Sequence, residues 1–347
     1  MARAARIKSF GGPEAIVIEE IDPPSPGTGE VRINVEASSL VFTDLLIRRN
    51  LYPVLKPVPT FTLGYSLVGH IESLGPAVNG WKSGDRVADL TQIGSNADLV
   101  VRPADKLVRV PDSLDAAEAE VMILSGVSAY QALTHFKSLK PGARVLITGA
   151  SGAVGLLAVQ LCRHMRLECY GVASKANLGL IKEAGAFAIA YDEPKSYESL
   201  LIASGKGFDL ILELAASEPL RRMRRLLKSD GILIFAGLRS AWNAENRHKA
   251  PSFFGKLKVF STFARAALAS KSNRRGVRLY DISTLRNKDP ELFRRDLEHL
   301  FALLAKGEIV PLISGRFLLE DIAKGHQLIE EGRVKGRLVT IHGRNIE

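Results

Sequence analysis

Residues 144–155 read Arg-Val-Leu-Ile-Thr-Gly-Ala-Ser-Gly-Ala-Val-Gly, a β-branched stretch running into a glycine-punctuated turn. The chemistry open to such a turn is anion binding. A pyrophosphate needs close backbone approach and N–H donors at the positive end of a helix dipole, and a strand–turn–helix junction offers both. Gly152 and Gly155 take the second and third glycine places of a G-x-G-x-x-G turn, Ala150 takes the first, and Gly149 stands just before it. With Ser151, Ala153 and Val154 these form the candidate dinucleotide cradle. Taken alone the turn has a second reading, in which its glycines serve only tight strand–helix packing.

The elements around the turn favour the nucleotide. Val154, Leu157, Ala158, Leu161 and Met165 recur at helical spacing, with Arg163, His164 and Arg166 among the polar positions. Strands are expected at 168–173, 186–191, 208–214 and 232–236, with helical stretches up to Gly185 and around 219–228. Strands alternating with helices predict an α/β fold, a Rossmann doubly wound parallel sheet. An enzyme for the unphosphorylated dinucleotide places an acid at the end of the second strand. This chain reads Gly171-Val-Ala-Ser-Lys-Ala-Asn177, without a carboxylate. Ser174 and Lys175 match a 2′-phosphate, which points to NADPH, although Lys175 also reads as a solvated loop lysine.

At 347 residues and 46% hydrophobic content, the chain has material for two buried cores. No run approaches the ~18 apolar residues of a membrane span, and the amino terminus lacks a signal-peptide core, so a cytoplasmic protein is expected. The two cysteines, Cys162 and Cys169, suit small buried side chains in a reducing compartment better than a disulfide. The net charge of +10 is concentrated: residues 246–280 hold nine Lys or Arg and no acid, leaving the remainder near +1. A general nucleic-acid surface is therefore not expected.

The amino-terminal region alternates short apolar strands with Gly and Pro turns, as in a β-rich domain. Its landmarks are the stretch from Asp44 through Tyr52 to Pro53, Leu63-Gly-Tyr-Ser-Leu-Val-Gly69, and Trp81-Lys-Ser-Gly-Asp-Arg-Val87. Together with Gly149–Gly155, these phrases resemble the medium-chain dehydrogenase/reductase superfamily. The likeness is nearest its zinc-free quinone oxidoreductase branch, which includes the vesicle amine transport protein group. The resemblance spans nearly the whole chain in order. It implies a GroES-like catalytic domain over 1–122, a Rossmann domain over 123–283 and a carboxy-terminal return to the first domain over 284–347. Asp289-Pro290, an N-cap followed by proline, opens the helix of that return, with Leu292, Phe293, Leu297, Leu300, Phe301 and Leu304 on its apolar face. A helix near 320–331 and a strand at 337–341 complete it.

The resemblance also assigns residues. Zinc members carry a cysteine before Thr-Asp and a Gly-His-Glu phrase; here Val41 and Gly64-Tyr65-Ser66 stand at those places, so no catalytic zinc is expected. His70 nearby is expected to be structural or exposed. Many zinc-free relatives place Asn at Val41 and Lys at Ser125, so the pocket looks unusually apolar. Tyr52 matches the family and would orient a carbonyl or donate a proton; its other reading is a tyrosine packed at a domain edge. Asp44 is expected to cap or pair within its domain. Ser128 matches a hydroxyl near the nicotinamide, Tyr191 a tyrosine near the 2′-phosphate, and Gly237-Leu238 the turn after the fifth strand. Gly336-Arg337 matches a phrase that closes over the cofactor. Relatives often place a phosphate-binding lysine where Asn177 stands, so Lys175 would compensate from two residues earlier.

Two functions from different classes follow. One is a zinc-independent, NADPH-dependent reductase of an apolar quinone, enone or enoyl substrate, a homodimer by family resemblance. The other is a nucleotide-binding protein with little turnover, associated with a membrane or a carrier protein. The basic stretch bears on the choice. Phe253, Leu257 and Phe260 share a helical face among lysines, a pattern that suits an anionic membrane surface, an acyl carrier protein, or inward packing of a surface helix.

Overall fold

The computed structural model describes residues 1–52, 54–215, 219–237 and 276–343. The basic stretch, apart from 276–280, lies outside the described residues, as does Leu238. The described chain forms two units, one from 1–124 with 283–343, the other from 125–237 with 276–282.

In the first unit, β1 (Ala2–Ile7) pairs antiparallel with β2 (Ile16–Ile21). β3 (Glu30–Leu40) leads into α1 (Phe42–Arg48), and β4 (Phe61–Thr62) joins β1 to complete a three-stranded sheet. β5 (Leu67–Leu74), β6 (Arg86–Asp89), β7 (Leu99–Pro103) and β8 (Val108–Arg109) build a larger sheet on β3. Alternation along β3 turns Val31, Ile33 and Val35 inward against Leu67, Ile71 and Val87. α2 (Ala116–Val121) is capped by Asp115, whose side chain accepts the Glu118 N–H.

The second unit has a six-stranded parallel sheet. Its elements are α3 (Val127–Thr134), β9 (Arg144–Thr148), α4 (Ala153–His164), β10 (Glu168–Ala173), α5 (Leu178–Ala184) and β11 (Phe187–Ala190). They continue with α6 (Ser196–Ser204), β12 (Phe208–Glu213), α7 (Leu220–Arg225), β13 (Leu227–Phe235) and β14 (Val277–Leu279). The spatial order β11-β10-β9-β12-β13-β14 is that of a Rossmann sheet, with the order reversing at β9 and β12. Leu146, Val172, Phe208, Ile211 and Leu233 pack in one of its cores.

Two boundaries differ from the sequence expectation. α7 stops at Arg225 and β13 already begins at Leu227, five residues before the apolar run at 232. The polar residues Lys228, Ser229 and Asp230 hide the strand's start; Lys228 is held there by an ion pair to Asp209 at 2.7 Å.

After β14 the chain re-enters the first unit. α8 (Ile282–Lys288) precedes α9 (Pro290–Ala305), whose N-cap Asp289 accepts the Leu292 N–H at 2.9 Å. Phe293, Leu297, Leu300, Phe301 and Leu304 are buried as expected, whereas Leu292 is not. β15 (Ile313–Leu318), α10 (Ile322–Glu330) and β16 (Arg337–Ile341) finish the unit, with β16 antiparallel to β3. Cys162 and Cys169 are buried free thiols.

Candidate active site

The cradle is built where β9 meets α4. Gly149 has φ +63°, a left-handed conformation that favours glycine. At Gly155 an added Cβ would stand 2.5 Å from the Gly149 carbonyl oxygen and 2.6 Å from the Ala150 Cα, so helix and turn approach too closely for any side chain. At Gly152 the same Cβ would meet only the Gly149 oxygen, at 3.4 Å, which leaves that face open. Ala150 is tied to β10 through its N–H and the Val172 carbonyl, 3.0 Å. Gly152 has extended backbone at the N-cap and offers no side-chain acceptor, and the first intrahelical bond runs from Leu156 to Gly152. The N–H groups of Ala153, Val154 and Gly155 are thus left for an anion by the geometry of a helix start. A pyrophosphate fits this cradle.

Other expected cofactor residues lie in the same unit. Ser151 Oγ accepts from Asn177 Nδ2 at 3.4 Å. Ser128 is buried in the first turn of α3. Gly237 follows β13, and its Cβ would collide with the Leu214 oxygen at 1.8 Å. Beneath the turn, Thr148 donates to the buried Glu213 carboxylate at 2.5 Å, and its Oγ accepts from the Leu214 N–H. Glu213 thereby fixes the loop after β12, a role with no signal in sequence spacing.

Lys175 is not alone with a prospective phosphate. Its ammonium lies 2.9 Å from Glu193, and its backbone N–H donates to Asp192 at 2.8 Å. The hydrogen bond and charge of Glu193 push the lysine pKa up. Tyr191 is exposed beside these acids. The absence of a carboxylate after β10 thus understates the local charge, because the acids arrive from the end of β11, the next strand.

The first unit gathers a second set of polar groups. Tyr52 Oη lies 3.3 Å from Tyr65 Oη, which lies 3.2 Å from Ser283 Oγ at the start of α8. Tyr65 and Ser283 are buried; Tyr52 is half-buried. The Tyr65 N–H donates to Ser39 Oγ at 2.5 Å, which holds the ring's backbone against β3.

Beside them, Asp44 occupies the first turn of α1 and accepts the Val41 N–H at 3.1 Å, the capping role expected of it. It is fully buried. Burial pushes its carboxyl up to about 7; the Val41 and Gly64 N–H groups and the charge of Arg337 oppose the rise, and Glu120 adds to it. Glu120, on α2, is also fully buried; it accepts from Ser66 Oγ at 2.6 Å and faces Arg337 Nη2 at 3.5 Å. Burial raises the Glu120 pKa against the pull of Arg337 and Ser66. Arg337, expected from the resemblance to close over the cofactor, is buried at the start of β16 with its guanidinium turned to Glu120. A carboxylate buried this deeply requires such a counter-charge.

Val41 is buried and Ser125 Oγ has no hydrogen-bond partner among the described residues. His70 is partly exposed, 3.7 Å from Glu36. Among the described residues no group of three or more His, Cys, Asp or Glu side chains is arranged to hold a metal.

Comparison with known proteins agrees with a two-unit nucleotide-binding dehydrogenase architecture. The family model described as alcohol dehydrogenase GroES-like domain matches residues 27–112, and that described as zinc-binding dehydrogenase matches 185–340. Rat synaptic vesicle membrane protein VAT-1 homolog is 28% identical over 98% of this chain and 84% of its own length. A Pseudomonas aeruginosa quinone oxidoreductase is 28% identical over 98% of this chain and 100% of its own. The crystal structure of Escherichia coli quinone oxidoreductase complexed with NADPH shares the fold, with a TM-score of 0.82 at 24% identity over 99% of this chain and 100% of that one. These matches bear out the resemblance to the medium-chain dehydrogenase/reductase superfamily and its quinone oxidoreductase-like branch.

Proposed function

We propose that the protein is a zinc-independent, NADPH-dependent oxidoreductase that reduces an apolar quinone, enone or enoyl substrate. The observation that carries this reading is the cradle at Gly149–Gly155, open at Gly152 and supplied with uncapped helix N–H groups. In this reading Ala153, Val154 and Gly155 hold the pyrophosphate, Ser174, Lys175 and Tyr191 meet the 2′-phosphate, and Ser128, Gly237 and Leu238 line the remaining cofactor. When bound, the reduced nicotinamide supplies a hydride. The protein aligns the substrate, excludes water and, through Tyr52, delivers a proton. Val41, Tyr65 and Ser66 at the places of zinc ligands support a reaction in which a conjugated substrate disperses its own developing charge. The quinone oxidoreductase relatives and the NADPH-bound structures of the same fold support the cofactor and the reaction class.

The test is NADPH consumption across quinones, enones and enoyl thioesters, with and without a zinc chelator. Chelator-insensitive reduction of at least one class is expected. Strict zinc dependence, or alcohol oxidation as the only turnover, overturns the reading. A second reading, a nucleotide-binding protein with little turnover on a membrane or carrier-protein surface, is favoured by the apolar Val41 and by the relatives named for a vesicle membrane. Liposome flotation of the wild type against a Lys256, Lys258, Arg274 and Arg275 charge-removal variant tests its membrane half, and unchanged flotation counts against it. By family resemblance the protein acts as a cytoplasmic homodimer, which sedimentation would check.

A further inference from the structure

We infer that Tyr65 and Ser283 form a directional hydroxyl chain that polarises Tyr52, making them positioning residues for its proton transfer. This rests on the reading of Tyr52 as the proton donor. The geometry consists of three hydroxyls in series, Tyr52 to Tyr65 at 3.3 Å and Tyr65 to Ser283 at 3.2 Å, contributed by residues 218 positions apart at the far link. Two of the three are buried, so water competes poorly for them.

A hydroxyl carries one proton and accepts through two lone pairs. If Ser283 donates to Tyr65, the Tyr65 proton is directed at Tyr52 Oη, and the Tyr52 proton is in turn directed away from the chain, toward a substrate. The phenolate form of Tyr52 gains most from this order, because a hydrogen bond to a charged acceptor is about twice as strong as one to a neutral acceptor. The step balances. The substrate gains a hydride at one carbon, from the reduced nicotinamide, and a proton at the far end of its conjugated system. The Tyr52 O–H bond breaks, its electron pair stays on oxygen, Tyr65 donates into that oxygen without losing its own proton, and water later reprotonates Tyr52. Ser283 holds Tyr65 to this orientation. Tyr65 thus brings a hydrogen-bond donor to a place where the zinc-dependent members of the superfamily carry a metal ligand.

The test reads Tyr52 directly. Phenolate absorbance is titrated in the metal-free, cofactor-free protein, and subtracting the Tyr52→Phe titration from that of the wild type isolates Tyr52 among the seven tyrosines. The same subtraction is made in Tyr65→Phe and Ser283→Ala backgrounds. Tyr65→Phe is expected to raise the Tyr52 pKa by about one to two pH units and Ser283→Ala by less, with Ser283→Thr restoring the wild-type value. In turnover of a quinone and an enone, Tyr65→Phe is expected to lower kcat roughly tenfold with little change in KM. An unchanged Tyr52 titration in Tyr65→Phe overturns the chain, even if turnover falls. If Tyr52→Phe leaves turnover intact while the Tyr65→Phe shift is present, the proton-donor reading fails and the hydroxyl chain stands as a property of the fold.

Discussion

Asp44→Asn is the substitution whose consequence follows most directly from burial. The Asp44 carboxyl is fully buried and pushed up to about 7 from its ordinary 3.8, chiefly by desolvation. In the unfolded chain it ionises near 3.8, so between about pH 4 and pH 7 the folded state holds a proton that the unfolded state has released. Stability linked to this group is complete below 3.8 and is lost as pH rises toward 7. A displacement of roughly 3 pH units at 1.36 kcal/mol each gives a loss of about 4 kcal/mol, fully developed above pH 7. Asparagine keeps an oxygen to accept the Val41 N–H and never ionises. Relative to wild type, Asp44→Asn should therefore gain stability as pH rises, reaching a plateau near pH 8. For a unit of this size the gap corresponds to roughly 8–16 °C in Tm. Thermal unfolding of both proteins from pH 4.5 to 8.5 at constant ionic strength measures it. A Tm difference that stays constant between pH 5 and pH 8 would refute the assignment of a neutral, buried Asp44.

The remaining predictions concern the cradle, the cofactor's phosphate end and a second buried group. Gly155→Ala forces a methyl to within 2.5 Å of the Gly149 oxygen and should abolish cofactor binding by calorimetry while costing about 1–3 kcal/mol of stability. Glu193→Gln frees the Lys175 ammonium from its 2.9 Å partner and should tighten NADPH several-fold with NADH unchanged, whereas Lys175→Ala should weaken NADPH about tenfold; equal effects on both cofactors would place the 2′-phosphate elsewhere. His326 is fully buried, and desolvation, with the Arg48 charge behind it, holds its pKa well below 6.5. Its contribution is present above pH 6.5 and is lost as pH falls below that value, so His326→Leu should gain stability on wild type as pH falls from 7 to 5 in denaturant titrations. Equal slopes in the two proteins would show that His326 is not held neutral.

Local patterns were legible and long-range ones were not. β10 and β16 fall where their runs of apolar and β-branched residues place them, at 168–173 and 337–341. Asp289 caps α9 because a cap is a contact over three residues. The start of β13 is not legible in the sequence because its charged residues find partners far along the chain, Lys228 at Asp209 and Asp230 at Lys137. The acids at 192 and 193 read as a loop in sequence, yet the parallel pairing of β10 with β11 brings them to Lys175. Arg337 sits in a phrase that resembles a cofactor clamp, and only the fold reveals that Glu120, 217 positions away, claims its guanidinium. The same distance in sequence separates Tyr65 from Ser283 within one residue, 218 positions. Residue type can suggest that a tyrosine does chemistry, but its hydrogen-bond neighbours belong to tertiary structure.

The pairing of β16 with β3, Leu338 opposite Leu40 and Thr340 opposite Ser38, bears on how the protein is made. The described residues of the second unit all precede β16 in the chain, so a ribosome finishes them before β16 exists. Until then β3 presents residues 37–40 as an unpaired edge, with buried Leu40 among them. Such an edge is a template for pairing with another nascent chain. The nucleotide-binding unit can fold as it emerges, while the unit that carries Tyr52 waits for β16 to be made. Chaperone demand and aggregation should concentrate in that interval, and on that unit.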